Sequence, residues 1–475
     1  MTSVQSTRGR PRRGRPKQPA RAGRGAPTQA RLLALRVLER VERTGAYADR
    51  LLHTQLGRSP LAAADRAFTT DLVNGTLRWR GRLDYLLAML VDRDLEKLEP
   101  LVANALRLGA YQIVCTDRVP DRAAVDQTVR CVRAAGVEHA TGFVNAVLRR
   151  LAAEQESLHF PSLETDPLGH LTHALSLPPW LAARWLERYG PEEALALAQA
   201  SNRIPPISVR ANRQRSSRDA LLADLRTRFP HAKPCPYASD GVVIGRRGHP
   251  GLDPAFLSGR FTVQDEASQL VLDLLDPQPG EQVLDTCAAP GGKATGIAER
   301  TGQAGQVVAL DTHSRRLDLV RRQIRRLGLA GIRCLERDAT RSLEDLAPGA
   351  GFERVLVDAP CSGLGTLRRN PDARWRVQAG DPARLAEKQR TLLDRAAATL
   401  RTGGVLVYST CTVLPEENED LVRAFLEETP NFQRAPADSI PRALRPLIDA
   451  EGTLRVMPHL HDGDGFFAVR MVRVS

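Results

Sequence analysis

The chain of 475 residues contains the sequence VLDTCAAPGGK at Val283–Lys293. Its first part is a short apolar run of the kind that forms a buried β-strand, and this run ends at Asp285. Gly291 and Gly292 then let the backbone approach a ligand closely, and a helix that begins there offers free amide donors. The sequence matches neither the GxGxxG pattern nor the GxxxxGK pattern of phosphate-binding loops. These residues therefore predict a strand–turn–helix unit that binds a nucleotide-like cofactor.

Strand and helix patterns alternate around this unit, from about residue 256 to the C-terminus. Further strands are predicted in QVVALD, IRCLE, RVLVDA, GVLVYST and FFAVRMVRV. Helical spacing of apolar residues recurs near Lys293–Arg300, Ser314–Leu327, Pro382–Leu400 and Glu416–Glu428. This alternation favours a doubly wound, mostly parallel α/β sheet, in which ligands bind at the carboxyl ends of the strands.

Two acidic residues follow the ends of predicted strands. Asp311 lies about twenty residues after the glycine turn, where an acidic side chain can bind a ribose diol. The alternative for Asp311 is to cap the helix that begins near Ser314. Asp338 follows the third strand, where it would meet an adenine ring or its amino group. Both residues extend the predicted cofactor site along the sheet edge.

Two cysteines follow the next two strands: Cys361 after VLVDAP and Cys411 after VLVYST. A thiolate that adds to carbon 6 of cytosine makes carbon 5 able to attack a methyl group, and a second thiol can assist the elimination. The thiolate form requires a lowered pKa, for which Lys293 is a candidate. The alternative for either cysteine alone is a buried structural thiol. The pair predicts alkyl transfer to a base through a covalent thiol adduct.

The N-terminal third has a different pattern. Residues 1–27 contain arginine, proline and glycine in abundance, repeat Arg-Gly-Arg-Pro at Arg8–Pro11 and Arg13–Pro16, and are expected to be a disordered basic tail. Residues 28–160 show helical periodicity throughout and predict an all-α bundle. Residues 161–255 mix two helix patterns with the strands ISVRAN and GVVIG, which indicates a small α/β subdomain that links the bundle to the domain at 256–475.

The net charge of +13 and the isoelectric point near 9.9 favour a polyanionic partner such as nucleic acid. A generally arginine-rich proteome would also produce this charge. Several arginines on the predicted helices would form either a basic face or a solvated surface: Arg78, Arg80, Arg82, Arg149 and Arg150. The sequence shows no membrane-span-length apolar run and no secretion signal, so we expect a cytoplasmic protein without membrane contact.

The other cysteines and histidines are expected to have structural roles. Four cysteines at positions without metal-ligand spacing are interpreted as ordinary thiols in a reducing compartment: Cys115, Cys131, Cys235 and Cys334. A polar cluster near the C-terminus could bind a metal, although a turn is the expected structure: His459, His461, Asp462 and Asp464. We therefore expect no metal.

Three motifs carry a family resemblance: CAAPGGK, DAPCSGLGTLRRNPDARW and YSTCTVLPEENE. They resemble the S-adenosylmethionine-dependent RNA cytosine-5 methyltransferases of the Sun group, as do FTVQDEASQL and the terminal DGFF. The resemblance covers about Phe261–Val474 and implies a Rossmann-like class I methyltransferase domain. The helical region resembles NusB, an RNA-binding antitermination factor. The fusion of the two is typical of the RsmB/Sun family, which implies small-subunit (16S) ribosomal RNA as substrate and partner.

The family's residues are carried over onto the matching motifs. The resemblance implies that Cys411 is the nucleophile and that Cys361 acts in product release. Asp358 is also expected to touch the target base. The expected contacts to S-adenosylmethionine are Cys287, Ala288, Ala289, Pro290, Gly291, Gly292, Lys293, Asp311, Asp338 and Asp358.

Three other functions stay open from the sequence. The same chemistry could act on transfer RNA or large-subunit ribosomal RNA, or the chain could be a non-catalytic RNA-binding assembly factor. A DNA-binding role rests on the N-terminal repeats alone. We expect a monomer.

Overall fold

We analysed the protein as a computed structural model, which describes residues 27–92, 94–246 and 248–475. The predicted tail up to residue 26, with both of its repeats, lies outside the described residues. The described chain divides into two compact units. The first contains Arg50–Val73, Leu86–Ser157 and the described residues up to Ala46; the second contains Tyr47–Asp49, Asn74–Tyr85 and Leu158–Ser475. The domain boundaries at residues 160 and 255 stay predictions.

The first unit is helical, as its periodicity predicts. The described part of residues 27–157 contains seven α-helices: α1 (Gln29–Thr44), α2 (Ala48–Arg58), α3 (Ala63–Arg78), α4 (Arg80–Ala88), α5 (Pro100–Val114), α6 (Asp121–Ala134) and α7 (Thr141–Glu154). The start of α2, the end of α3 and most of α4 belong to the second unit. Helix α5 is buried from Val102 to Ile113 and packs against α1, α6 and α7, because its apolar residues surround the helix instead of forming one stripe. Cys131 on α6 is fully buried, and burial raises the pKa of its thiol to about 12.

The part of the second unit that starts at Leu158 contains a long helix and a small sheet before the large sheet. Helix α8 (Pro179–Ser201) contains both predicted helices, which meet at Gly190, where φ is 72° and Pro191 follows. The sheet contains β1 (Ile207–Ala211), β2 (Lys233–Pro234), β3 (Gly241–Gly245) and β4 (Phe261–Val263) in the antiparallel order β2-β3-β1-β4, and α9 (Arg218–Arg226) packs on it.

The large sheet has eight strands. They are β5 (Gln282–Asp285), β6 (Gln306–Asp311), β7 (Ile332–Glu336), β8 (Phe352–Asp358), β9 (Leu400–Thr410), β10 (Phe432–Arg434), β11 (Thr453–Val456) and β12 (Phe466–Arg473). Strands β7-β6-β5-β8-β9 pair in parallel, and β12 pairs antiparallel with β9, β10 and β11. Because β6 and β8 lie on opposite sides of β5, a crevice opens at the carboxyl end of β5.

Helices cover both faces of this sheet. They are α10 (Glu266–Leu275), α11 (Gly292–Thr301), α12 (Ser314–Leu327), α13 (Asp381–Ala397) and α14 (Glu419–Glu428). Apolar residues of the strands alternate between two buried clusters, with Val283 and Leu356 in one and Leu284 and Val355 in the other. The predicted architecture, an all-α bundle followed by a Rossmann-like doubly wound α/β domain, is confirmed.

Candidate active site

The glycine turn lies in the crevice at the end of β5. Gly291 has φ +109°, and a Cβ atom there would lie 3.1 Å from the Cα atom of Val320, so only glycine fits without a shift of α12. Helix α11 begins at Gly292, whose carbonyl accepts a hydrogen bond from Arg210 Nη1 at 2.6 Å. Arg210 is fully buried and also donates to Glu299 Oε1 at 2.9 Å. Arg210 lies on β1 of the small sheet, so this sheet fixes the position of the turn.

Asp285, which ends β5, is the most unusual carboxylate of the site. It is fully buried, and its Oδ1 atom accepts a hydrogen bond from the Cys287 amide at 3.3 Å. Its Oδ2 atom has no hydrogen-bond partner among the described residues. Burial, and next the charge of Asp358, raises the pKa of Asp285 to about 7. A buried oxygen without a partner beside a helix N-terminus fits a cofactor that carries positive charge.

Asp311 and Asp338 occupy the ends of the next two strands. Asp311 Oδ1 accepts from the His313 amide at 3.0 Å, and Oδ2 lies 3.3 Å from Arg316 Nη1. The N-cap position of α12 is His313, so Asp311 supports the loop before the helix and does not cap it directly. Asp338 Oδ1 accepts two hydrogen bonds from Thr340, which lower the pKa of Asp338. Their predicted ligand roles stay predictions.

Lys293 and Asp358 join the glycine turn to the end of β8. Lys293 Nζ lies 2.6 Å from Asp358 Oδ2, and it also lies 5.3 Å from the centre of the Phe466 ring. Ser409 Oγ donates to the other oxygen of Asp358 at 2.9 Å. The Asp358 side chain is 28% exposed, so it can still reach a ligand. Lys293, the candidate for lowering a thiol pKa, is engaged by this carboxylate.

The two predicted thiols lie together at the ends of β8 and β9. The Sγ atoms of Cys361 and Cys411 are 3.3 Å apart, and both cysteines are free thiols. The Cys411 amide also donates to Cys361 Sγ at 3.3 Å. The pKa of Cys361 is raised well above its ordinary value, first by the hydrogen bond with Cys411, then by burial and by nearby Glu417. The raised pKa favours the thiol form of Cys361, to which the resemblance assigns product release and not the attack on the base.

Three residues of this site have no role predicted from the sequence: Asp285, Ser409 and Glu417. Asp285 and Ser409 each follow an apolar strand directly, which is the signal that identified the other site residues. Glu417 lies in the quoted PEENE sequence, which has the composition of an exposed helix start, yet its exposure is 0%.

The C-terminal polar cluster lies in a short helix, Pro458–His461, and in the loop that follows it, where arginines bind the two aspartates. Arg368 Nε donates to Asp464 Oδ1 at 2.7 Å, and Arg368 Nη1 donates to Asp462 Oδ1 at 3.0 Å. Asp462 has a left-handed φ of 48°. His461 Nδ1 accepts from the Met457 amide at 2.9 Å. Within the described ranges, no group of three or more histidine, cysteine, aspartate or glutamate residues could hold a metal ion.

The expectation that Arg78, Arg80 and Arg82 lie on an exposed helix surface is wrong for Arg78. Arg78 is buried and donates to the carbonyl of Arg368 at 2.8 Å, because residues 74–85 belong to the second unit. The Arg80 guanidinium lies 5.6 Å from the Trp375 ring centre, and Arg82 Nη1 donates to the Ala174 carbonyl at 3.2 Å. Arg149 and Arg150 are exposed on α7 of the first unit.

Arg374 and Trp375 hold residues 74–85 within the second unit. Arg374 is fully buried and donates to the carbonyls of Arg78 at 3.1 Å and Ser176 at 3.0 Å. Trp375 Nε1 donates to the Leu77 carbonyl at 2.6 Å. Burial, and next the charge of Arg78, lowers the pKa of Arg374 to about 9. This cation is stabilised by backbone carbonyls.

None of the described helices has both the length and the apolar composition that crossing a bilayer requires.

Three sequence families match the chain in succession. The NusB family matches residues 28–153, the ferredoxin-like domain of RsmF/B-like methyltransferases matches residues 177–249, and the family described as 16S rRNA methyltransferase RsmB/F matches residues 272–472. The recognised resemblance is therefore confirmed, including the order of the helical, small and methyltransferase regions.

Individual relatives match over nearly the full length. The ribosomal RNA small subunit methyltransferase B of Pseudomonas putida is 38% identical over 94% of this chain and 98% of its own. That of Yersinia pestis is 34% identical over 86% and 91%. A solved structure designated PH0851 is 25% identical, covers 93% of this chain and 99% of its own, and has a TM-score of 0.79. A methyltransferase homologue from Pyrococcus horikoshii is 26% identical, covers 65% and 99%, and has a TM-score of 0.56.

Proposed function

Because this chain belongs to the RsmB/F family of 16S rRNA methyltransferases, we propose that it methylates carbon 5 of a cytosine in small-subunit ribosomal RNA. The methyl donor in this proposal is S-adenosylmethionine, and the reaction proceeds through a covalent bond between Cys411 and the base. The observation that supports it most is the 3.3 Å separation of the Cys361 and Cys411 thiols at the carboxyl edge of the sheet. Methyl transfer to an oxygen or nitrogen atom has no use for a pair of thiols, whereas carbon 5 of cytosine must first be activated by a nucleophile.

The proposed cofactor residues are those of the crevice at β5. The Cys287–Lys293 turn, with the Gly292 and Lys293 amides at the start of α11 as donors, and the carboxylates of Asp285, Asp311 and Asp338 as acceptors would hold the cofactor there. The chemistry that S-adenosylmethionine supplies when bound is a methyl carbon on a positively charged sulfur, open to attack by a nucleophile. Asp358 would contact both the cofactor and the target base, since it lies between the turn and the thiols.

The two thiols take different roles in the proposed reaction. The Cys411 thiolate would form a bond to carbon 6, and the electron pair of the 5,6 double bond would move to carbon 5. Carbon 5 would then bond to the methyl carbon while the bond between that carbon and the sulfonium sulfur breaks, so that the donor leaves as a neutral thioether. In the release step the carbon 5 proton leaves, the double bond forms again and the bond between sulfur and carbon 6 breaks. Cys361 gives its thiol proton to the departing Cys411 sulfur and takes up the carbon 5 proton. The raised pKa of Cys361 favours the protonated form that this step requires.

RNA binding in this proposal involves both the NusB-like region and the small sheet. The target cytosine must leave its stack to reach Cys411, so an unpaired or opened nucleotide is the expected substrate. The net charge of +13 is suited to the phosphates of a large RNA.

The test uses labelled S-adenosylmethionine and unmodified small-subunit ribosomal RNA, with the product cytosine mapped. We expect one 5-methylcytosine from the wild type and none from Cys411→Ala. Cys361→Ala should accumulate a covalent protein–RNA adduct, visible as a denaturant-resistant band, because carbon–sulfur cleavage is slowed. A matched control is Cys115→Ala, which removes a thiol of the first unit and should leave turnover unchanged.

Other results would redirect the proposal. Transfer only to transfer RNA or large-subunit RNA would keep the chemistry and exclude the substrate. An adduct in Cys411→Ala, with normal turnover in Cys361→Ala, would exchange the two roles. Transfer to no RNA would favour an assembly factor.

A further inference from the structure

Glu417 lies behind the two thiols in a short turn after β9, and its exposure is 0%. Its Oε1 atom accepts hydrogen bonds from the Ser362 amide at 2.8 Å and from Gln389 Nε2 at 2.9 Å. Its Oε2 atom accepts from Ser362 Oγ at 2.5 Å. Tyr408, itself fully buried, donates to the Glu417 carbonyl at 2.7 Å, which fixes the backbone of the turn. The carboxylate is therefore held in one orientation by three donors.

Ser362, which this carboxylate binds, and Thr412, which Ser362 contacts, are direct neighbours of the thiols in the chain. Ser362 follows Cys361 in the chain, and Thr412 follows Cys411. The hydroxyl oxygens of Ser362 and Thr412 are 2.8 Å apart. A continuous set of hydrogen bonds thus runs from Glu417 through Ser362 to Thr412 and joins the two segments that carry the sulfur atoms.

A buried carboxylate is costly, so its presence behind the site needs a reason beyond packing. A glutamine of the same shape would replace one acceptor oxygen by an NH₂ group. Facing the Ser362 amide, this group would oppose another donor; facing the Ser362 hydroxyl, it would make that hydroxyl an acceptor and reverse its hydrogen bond with Thr412. The negative charge of Glu417 also contributes to the raised pKa of Cys361. The ionisable groups that face Cys361 are Cys411, Glu417 and Tyr408, none of which carries positive charge.

We propose that Glu417 is a positioning residue that fixes the separation of the Cys361 and Cys411 thiols. This inference rests on the proposed function in one respect: the two thiols must act in sequence on one base. Glu417 acts through Ser362 and Thr412 and need not touch RNA or cofactor.

The test compares Glu417→Gln with Asp420→Asn, which removes a carboxylate three residues away that is 47% exposed and forms an ion pair with Arg423. Two measurements are made: steady-state methyl transfer, and the pH dependence of iodoacetamide labelling of each cysteine without RNA or cofactor. We expect Glu417→Gln to lower kcat by about a hundredfold, the scale of an ångström-sized misplacement, with KM for S-adenosylmethionine within about twofold of the wild type. Cys361 labelling should shift to lower pH. Asp420→Asn should match the wild type in both measurements.

A second variant covers the case in which Glu417→Gln does not fold. Ser362→Ala keeps Glu417 and the amide donor but removes the hydroxyl link to Thr412, and we expect roughly a tenfold loss of kcat from the lost hydrogen bonds. Wild-type kcat in both variants, or in the one that folds, would overturn the inference. An unchanged pH profile of Cys361 in folded Glu417→Gln would also overturn it. If the wild type makes no 5-methylcytosine while Cys361 labelling still depends on Glu417, the proposed function fails and the positioning role stands.

Discussion

Replacing Asp285 with asparagine should stabilise the cofactor-free protein above pH 7 and leave its stability near pH 4 almost unchanged. The carboxyl group is fully buried, one of its oxygens has no hydrogen-bond partner among the described residues, and its pKa rises from 3.8 to about 7. Between these two values the folded protein keeps a proton that the unfolded chain releases. The free energy of unfolding contributed by this group therefore falls as pH rises through this window and reaches its minimum above pH 7.

The pKa difference sets the size of the effect. At about 1.36 kcal/mol per pKa unit, the gap between 3.8 and about 7 corresponds to about 4 kcal/mol above pH 7. At pH 5 the same relation predicts about 1.6 kcal/mol. Asparagine is uncharged, and its oxygen can still accept a hydrogen bond from the Cys287 amide. The variant should therefore keep most of the free energy of unfolding that the wild type loses when Asp285 ionises.

The assay is urea unfolding followed by tryptophan fluorescence at pH 5 and pH 8. All four tryptophans belong to the second unit, so the signal reports the unit that contains Asp285: Trp79, Trp180, Trp185 and Trp375. Asp338→Asn is the matched control, for which the pH-dependent change in stability has the opposite sign. The pKa of Asp338 is lowered, so it contributes stability above its unfolded pKa that is lost as pH falls. A stability difference between Asp285→Asn and wild type that is the same at pH 5 and pH 8 would refute the reasoning.

Two further substitutions test other buried charges of the second unit. Arg210→Met leaves Glu299 without its cation, so the free energy of unfolding should fall by about 3–5 kcal/mol in the same urea assay. The double variant Arg210→Met/Glu299→Leu should recover most of this free energy, because no unpaired buried charge remains. If the double variant shows no recovery, Arg210 stabilises the protein through the Gly292 carbonyl instead. Lys293→Met removes the ammonium 2.6 Å from Asp358, and methyl transfer should fall by roughly a hundredfold as the carboxylate loses its orientation. Wild-type methyl transfer in Lys293→Met would remove this pair from the mechanism.

The parallel part of the sheet was predictable because each strand is a short apolar run that ends at a polar residue. Strand β8 shows this best, since VLV precedes Asp358 and is buried on both faces. The short antiparallel strands were not predictable. Strands β4, β10 and β11 have only three or four residues, and their pairing depends on neighbours distant in sequence.

The site residues at the ends of strands were predictable from the sequence. The site residues whose role depends on being buried were not. Cys361 and Cys411 follow neighbouring strands, so their proximity follows from the order of the sheet. Glu417 belongs to an acidic sequence that resembles a solvated helix start, and only the fold places it behind the thiols. Arg78 was equally unpredictable, because its sequence LRWRGR looks like a helix surface.

The contacts of Arg374 and Trp375 have a consequence for synthesis on the ribosome. Arg374 is separated by 296 residues from Arg78, whose carbonyl it binds, and Trp375 by 298 from Leu77. At about 5–20 residues per second, roughly 15–60 s pass between the translation of the two sides. During that time residues 74–85 are attached to helices that can already fold, while the groups that bind their carbonyls do not yet exist. Residues 74–85 therefore cannot acquire these hydrogen bonds until the last quarter of the protein has been synthesised.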